Sequence, residues 1–268
     1  MSESIERLLS LMRRLRDPRH GCPWDRAQTP ETLVRHTLEE AYEVADCIER
    51  GDWRELPGEL GDLLFQVVFY AQIGAEQGRY TFDDVVDGIV DKLTRRHPHV
   101  FGDEPVLDVA GQAARWEQIK AAERGARPGD ASVLDGVPLG LPALTRAAKL
   151  QARAARQGFD WPALPPVREK LTEELLELDA ALAGGDSAEI RHELGDLLFT
   201  CVNLARHLDV DAEAALREAT LRFTRRFGAI EQAAAARDRP LASLTAAEMD
   251  ELWEKAKADE SRRPPGAA

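Results

Sequence analysis

The sequence predicts an all-α protein built from two tandem helical bundles, and three observations carry that expectation. Apolar residues recur at helical spacing through most of the chain, and no stretch alternates like a half-buried strand. A carboxylate pattern occurs twice: Glu39-Glu40-Ala41-Tyr42-Glu43 with Glu59-Leu60-Gly61-Asp62, then Glu173-Glu174-Leu175-Leu176-Glu177 with Glu193-Leu194-Gly195-Asp196. The pairs Glu40/Glu174, Glu43/Glu177, Glu59/Glu193 and Asp62/Asp196 all share an offset of 134 residues, so neither copy carries an insertion between its acids. Between the copies, Gly125, Pro128, Gly129, Gly136, Pro138 and Gly140 mark a boundary. The expected layout is a first domain over 1–124, a linker over 125–140, a second domain over 141–260 and a disordered tail over 261–268.

Ile5, Leu8, Leu9, Met12 and Leu15 predict a first amphipathic helix over 4–16, stopped by Asp17-Pro18. Gly21-Cys22-Pro23-Trp24-Asp25 reads as a turn with one large aromatic. Thr29 caps the next helix with Pro30 at its first position, and Val34, Leu38, Ala41, Ala45 and Ile48 form an apolar stripe to about Arg50. Gly51-Asp52 breaks it, and a third helix runs from about Pro57 to Glu76 with Leu60, Leu63, Leu64, Val67, Val68 and Ala71 on its main face. Thr81 caps a fourth, which carries Val85, Val86, Ile89, Val90 and Leu93 into Arg95-Arg96-His97-Pro98, and a fifth holds Trp116, Ile119 and Lys120. The second half repeats this order: Gly158-Phe159-Asp160-Trp161 echoes Gly21 to Trp24, Thr224-Arg225-Arg226 echoes Thr94-Arg95-Arg96, and Trp253 to Lys257 echoes Trp116 to Lys120. Thr245 and Glu248 make a capping box before the last helix.

A length of 268 residues suits two domains of about 120 residues, each able to bury its own core. With 44% hydrophobic and 31% charged residues, the chain has the composition of a folded, soluble, helix-rich protein rather than a disordered one. The net charge of −13 argues against a general nucleic-acid or anionic-membrane surface, yet leaves room for a small phosphorylated ligand on a local basic patch. Cys22, Cys47 and Cys201 form no CxxC pair, which suits a reducing compartment. Neither a signal peptide nor an apolar run near the roughly 18 residues of a membrane span is visible, so a cytoplasmic location is expected.

The chemistry lies in the acids. On a helix, Glu40 and Glu43 fall about 60° apart, as do Glu59 and Asp62, so each pair forms one clamp. The Pro57–Glu76 helix is apolar nearly all round, with Phe69, Tyr70 and Ile73 accompanying its acids. Four carboxylates gathered on such surfaces repel one another and lose hydration unless a cation compensates. No His or Cys repeats at the matching spacings, and an all-oxygen set favours Mg²⁺ or Mn²⁺ over Zn²⁺. Solvated acids on Glu-rich helices are the competing reading of a single ExxE; the repeated quartet beside apolar Leu-Leu-Phe is harder to explain in that way.

Cations accompany each quartet. Arg222, Arg225 and Arg226 stand near one helix end, with Lys92, Arg95 and Arg96 as first-unit counterparts. Such groups complement a helix dipole, and opposite an acid-bound metal they would also neutralise polyphosphate oxygens. Trp253 and Trp116 are core residues or platforms for a base, with Lys257 and Lys120 one turn on to reach phosphate. Lys170 lies one turn before Glu174, where the first unit has His36. His97-Pro98-His99 reads as a turn beside the basic helix end. Neither a nucleophile triad nor a Gly-x-x-x-x-Gly-Lys-[Ser/Thr] loop is present.

Together, Glu39-Glu40-x-x-Glu43…Glu59-x-x-Asp62 and its second copy, Gly21-Cys22-Pro23-Trp24-Asp25 and Arg95-Arg96-His97-Pro98-His99-Val100-Phe101 resemble the two-repeat MazG proteins, over about residues 5–260. The resemblance implies tandem MazG-like helical bundles of the all-α nucleoside triphosphate pyrophosphatase type, assembled as a homodimer. It implies Mg²⁺-dependent hydrolysis of NTPs and dNTPs between the α- and β-phosphates, giving a nucleoside monophosphate and pyrophosphate. Carried over, Glu174, Glu177, Glu193 and Asp196 become catalytic metal ligands, and Lys170, Arg222, Arg225, Arg226, Trp253 and Lys257 become substrate contacts. Glu40, Glu43, Glu59 and Asp62 become first-unit metal ligands, with Lys92, Arg95, Arg96, Trp116 and Lys120 beside them. His36 and Lys92, in place of Lys170 and Arg222, set the first unit apart and favour the second for turnover. Spacing leaves the general base open among the quartet acids, Glu39 and Glu173. A selective dUTP or dCTP diphosphatase and a non-catalytic metal-binding scaffold are the alternatives to a broad NTP pyrophosphohydrolase.

Overall fold

The computed structural model describes residues 3–125 and 132–261, and within them the chain is all-α, with twelve α-helices, one 3-10 turn and no strand. It divides into two compact units, one running to Lys120 and the other starting at Ala121. The expected tail from Arg262 onward and residues 126–131 of the expected linker lie outside the described residues. No described helix is long and apolar enough to cross a membrane, and the three cysteines are free.

In the first unit α1 (Glu3–Leu15) packs on the long helix α4 (Leu56–Glu76), which forms a hairpin with α3 (Pro30–Arg50). Thr29 starts α3 through a reciprocal cap: its hydroxyl accepts from the Thr32 amide at 3.4 Å, and Thr32 Oγ1 accepts from the Thr29 amide at 2.9 Å. Gly51 ends the helix at φ 71°, a left-handed conformation that costs glycine little. The core gathers Met12, Leu33, Val68, Phe69 and Ile73, with Leu8, Leu9, Phe65, Tyr70 and Phe82 packed against them. Thr81 caps α5 (Phe82–Arg96) by a capping box with Asp84, and α7 (Val109–Gly125) follows the short helix α6 (Pro98–Phe101).

Two local readings change. Gly21 to Asp25 is not a plain turn, because Pro23 opens a short helix, α2 (Pro23–Ala27). Arg16 pins that segment: it bonds the Asp25 and Gln28 carbonyls and pairs with Glu76 on α4 at 2.7 Å. The second change concerns the α3 stripe. Leu33 and Cys47 are its buried side chains, whereas Val34, Leu38 and Ile48 are about half exposed. Helical periodicity shows that a face is apolar without showing which neighbour covers it; α3 turns a different side towards α4.

The second unit repeats the hairpin with α9 (Leu164–Gly184) and α10 (Ser187–His207), joined through Gly185 at φ 77° and an Asp186 cap on the Ala188 amide. Helix α8 (Ala143–Ala155) packs on α10 as α1 packs on α4. Helix α11 (Ala212–Ala235) pairs with α12 (Ala246–Ser261) around Ile230, Ala234 and Leu244. The Thr245–Glu248 box is formed: the Thr245 amide donates to Glu248 at 2.8 Å and the Glu248 amide to Thr245 Oγ1 at 3.2 Å.

Glu248 also gives a pH test. Its bond from Arg239, and then the Thr245 amide, hold its carboxyl down at about 2, against an ordinary 4.5. A depressed carboxyl stabilises the fold above its unfolded value and loses that contribution as pH falls through its folded value. We expect Glu248→Gln to lower the thermal midpoint at pH 7, with the difference from wild type shrinking as pH falls from the ordinary carboxyl value of 4.5 towards about 2, when both are followed by circular dichroism.

Candidate active site

Each helix hairpin brings its acids together. In the first unit α3 supplies Glu40 and Glu43, and the first turns of α4 supply Glu59 and Asp62. Glu40, Glu59 and Asp62 each present an oxygen within 4.8 Å of the others. Glu40 and Glu59 are half-buried, and both carboxyls are raised above the ordinary carboxylate range, first by burial and then by the charges of Glu43 and Asp62. Glu43 therefore belongs to the same electrostatic cluster. His36 does not reach into it but pairs with Glu39 at 3.4 Å, with the Trp24 ring edge-on at 5.9 Å. A cluster whose own acids repel one another is a fit for a divalent cation held by oxygen.

In the second unit the counterparts on α9 and α10 converge in two overlapping groups within the same 4.8 Å limit: Glu174, Glu177 and Glu193, then His192, Glu193 and Asp196. Glu174 is only 4% exposed, the most buried acid of either quartet. Two basic side chains sit against these acids. Lys170 Nζ lies 2.7 Å from Glu173, 3.0 Å from Glu174 and 4.0 Å from Glu177, and its bonds to Glu173 and Glu174 hold it strongly protonated. His192 Nδ1 is 3.3 Å from both Glu193 and Asp196, and those contacts raise its basicity. Glu177 is also raised, chiefly by desolvation and against the pull of Lys170.

His192 was invisible to the repeat, because the position 134 residues earlier is Gly58. The signal that finds it is local: His192 precedes Glu193 and stands one helical turn before Asp196. Its ring nitrogen adds to the carboxylate oxygens at the Glu193–Asp196 end.

The arginines take partners that spacing did not reveal. Arg225 and Arg226 on α11 bind the two oxygens of Glu260 on α12, at 2.8 and 2.7 Å, and hold its carboxyl below the ordinary range. Arg222 lies 3.6 Å from Glu218. Trp253 packs against the Ile230–Ala234–Leu244 cluster and Phe223, with the Arg226 guanidinium over its ring at 5.5 Å. Lys257 pairs with Glu254 at 3.2 Å. The first unit repeats the theme: Arg96 lies over Trp116 at 5.1 Å, His97 is 5.0 Å from the same ring, and Lys120 pairs with Glu117. Lys92 and Arg95 sit on α5, Lys92 half-buried and Arg95 exposed. Each tryptophan thus supports an arginine, and Trp253 packs on the core as well.

The MazG nucleotide pyrophosphohydrolase domain matches the chain twice, over residues 28–101 and 166–228. The chain belongs to the MazG family. It is 51% identical over 258 residues to a nucleoside triphosphate pyrophosphohydrolase of Escherichia coli (strain K12), covering 96% of this chain and 98% of that relative. It is 44% identical over 253 residues to the nucleoside triphosphate pyrophosphohydrolase/pyrophosphatase MazG of Thermotoga maritima, covering 94% and 95%. A nucleoside triphosphate pyrophosphohydrolase of Mycolicibacterium smegmatis matches 60% of the chain at 39% identity, over 49% of its own length. The two MazG segments contain both quartets, Lys170, and the basic residues Lys92, Arg95, Arg96, Arg222, Arg225 and Arg226. Trp116, Lys120, Trp253 and Lys257 fall outside them.

Proposed function

We propose that the chain is a nucleoside triphosphate pyrophosphohydrolase, cleaving NTPs and dNTPs between the α- and β-phosphates into a nucleoside monophosphate and pyrophosphate. The observation that carries this reading is the convergence of Glu174, Glu177, Glu193 and Asp196 at one hairpin of a MazG chain. Glu40, Glu43, Glu59 and Asp62 are the corresponding ligands in the first unit. Mg²⁺, or Mn²⁺ in its place, would supply charge for the triphosphate oxygens and lower the pKa of an attacking water. The chain's own residues do the rest. The acids would hold the cation and accept hydrogen bonds from that water on one hairpin, and Lys170, already seated on Glu174, lies beside them to meet phosphate oxygens. Arg222, Arg225 and Arg226, the latter two held by Glu260 and Trp253, balance charge on the β- and γ-phosphates with Lys257. In the first unit Lys92, Arg95, Arg96, Trp116 and Lys120 hold the equivalent positions.

The proposed domains are 1–124 and 141–260, each with one quartet, in a cytoplasmic homodimer that cleans or controls the nucleotide pool without binding nucleic acid directly. The dimer accounts for exposed apolar faces: Val34, Leu38 and Ile48 on α3, and Val85, Val86, Ile89, Val90 and Leu93 on α5, are each at least 38% exposed.

Incubation with each NTP and dNTP plus Mg²⁺ tests the reading. Broad turnover supports it, strong preference for one pyrimidine dNTP points to a selective diphosphatase, and no loss of any nucleotide at high enzyme concentration contradicts it. The units are separated by Glu59→Gln and Asp62→Asn. We expect these to remove one class of metal site in a Mn²⁺ titration while keeping pyrophosphate release within about twofold of wild type, since the ion-paired Lys170 accompanies the second quartet. Loss of turnover would place catalysis in the first unit.

A further inference from the structure

The two acid hairpins differ at the residue that precedes the ExxD acids. In the second unit it is His192, next to Glu193 and one turn before Asp196 on α10; in the first it is Gly58, next to Glu59 and one turn before Asp62 on α4. The second unit therefore holds a nitrogen donor where the first holds no side chain. Its ring is turned onto the acids: Nδ1 lies 3.3 Å from Glu193 Oε1 and 3.3 Å from Asp196 Oδ2. Two ligands about 2.1 Å from one divalent ion and at right angles to each other stand about 3 Å apart. Both nitrogen–oxygen spacings are close to those of neighbouring positions on one octahedron.

A histidine one turn from an aspartate on an exposed helix is ordinarily a surface contact of little consequence. Two observations set this one apart. Glu193, whose side chain is only 22% exposed, also belongs to the Glu174–Glu177–Glu193 group, so the ring touches the acid that both groups of the second quartet share. Among the described residues, moreover, no lysine or arginine pairs with Glu193 or Asp196, because Lys170 goes to Glu173, Glu174 and Glu177 on α9. The α9 side of the quartet is served by an ammonium, which can pair with an acid but cannot bind a cation. The α10 side is served by an imidazole, which can do either.

We propose that His192 is a metal ligand of the second unit and sets its metal preference: with Glu193 and Asp196 it forms a mixed nitrogen and oxygen face that shifts this unit towards late first-row divalent ions such as Co²⁺, relative to the all-oxygen quartet of the first unit. The inference rests on the metal-dependent hydrolase reading above and deepens it by making the two quartets, equal in their acids, unequal in the ion they select. Imidazole suits the later transition ions, whereas carboxylate and water suit Mg²⁺. Mg²⁺ keeps several waters when bound by carboxylates, so a water takes the place of the ring at little cost. The ring therefore matters for Co²⁺ much more than for Mg²⁺. Its side chain is 72% exposed, which leaves it free to adjust to the ion.

The test uses the full-length chain without nucleotide, at about pH 8 because imidazole ligates as the neutral base. Pulsed electron paramagnetic resonance of the Mn²⁺-loaded wild type is expected to show coupling to a directly bound imidazole nitrogen, and His192→Ala to lose it. In calorimetric titrations His192→Ala is expected to weaken one class of Co²⁺ sites about tenfold or more, while Mg²⁺ binding stays within about twofold of wild type. Gly58→His writes the same donor into the first unit. Beyond its own helix and chain neighbours nothing lies within 4 Å of where a Cβ would stand, so α4 accepts the side chain. This variant is expected to gain a second nitrogen-coupled class of Mn²⁺, and it decides the matter should His192→Ala lose its helical spectrum; no gain would then overturn the assignment. Mn²⁺ bound without nitrogen coupling in the wild type, coupling that survives His192→Ala, or Co²⁺ affinity unchanged in that variant would overturn the proposal and leave the hydrolase reading standing. Mn²⁺ binding to neither quartet would overturn both.

Discussion

Glu193→Gln and Asp196→Asn are each expected to reduce pyrophosphate release about 10²–10³-fold while leaving the helical fold intact, the largest effect anticipated for any substitution in this chain. Both residues sit in one turn of α10, and each shares a ligand group with a neighbouring acid or His192. Either change removes a formal charge without removing volume, so packing around Leu197 and Phe199 is preserved. His192 sharpens the expectation. It lies equally near both carboxylates at 3.3 Å, so each variant leaves it one anionic partner, and the far-ultraviolet spectrum is expected to remain that of the wild type. Wild-type-like turnover in both variants would reject the second quartet as the reacting centre.

The second large effect concerns assembly. An acidic residue in the α5 face, Val86→Asp or Ile89→Asp, is expected to convert a dimer into a monomer and to lower activity with it. The face is apolar over five residues and none of the α5 side chains is buried within the chain. Water contact with so many β-branched residues is unfavourable, and stable dimers cover surfaces of this kind. Light scattering after gel filtration reads the result directly: the 29.7 kDa chain should elute at twice its mass, and the variants at its own. A wild type that is already monomeric would refute the dimer.

Much of the fold could be read from sequence because its signals are local. Thr29, Thr81 and Thr245 each precede a helix by one residue or begin its capping box, and each is found doing so. The convergence of the acids was legible for a related reason: ExxE and ExxD fix a helix face, and a glycine turn between two helices brings such faces together. Partnership across longer separations was not. Glu260 lies 34 residues beyond Arg226, and no period connects them. His192 escaped because it breaks the repeat that revealed its neighbours. The burial of Gln151 and Asn203 escaped for the opposite reason, since a buried amide on an amphipathic helix resembles a surface residue until its surroundings are known.

The central claim is that water attacks the α-phosphorus at the second quartet. Turnover of ATP with Mg²⁺ in ¹⁸O-labelled water, with products separated by mass, tests it most directly. The expected products are AMP carrying one labelled oxygen and unlabelled pyrophosphate. ADP with labelled phosphate, or label in the pyrophosphate, would contradict it.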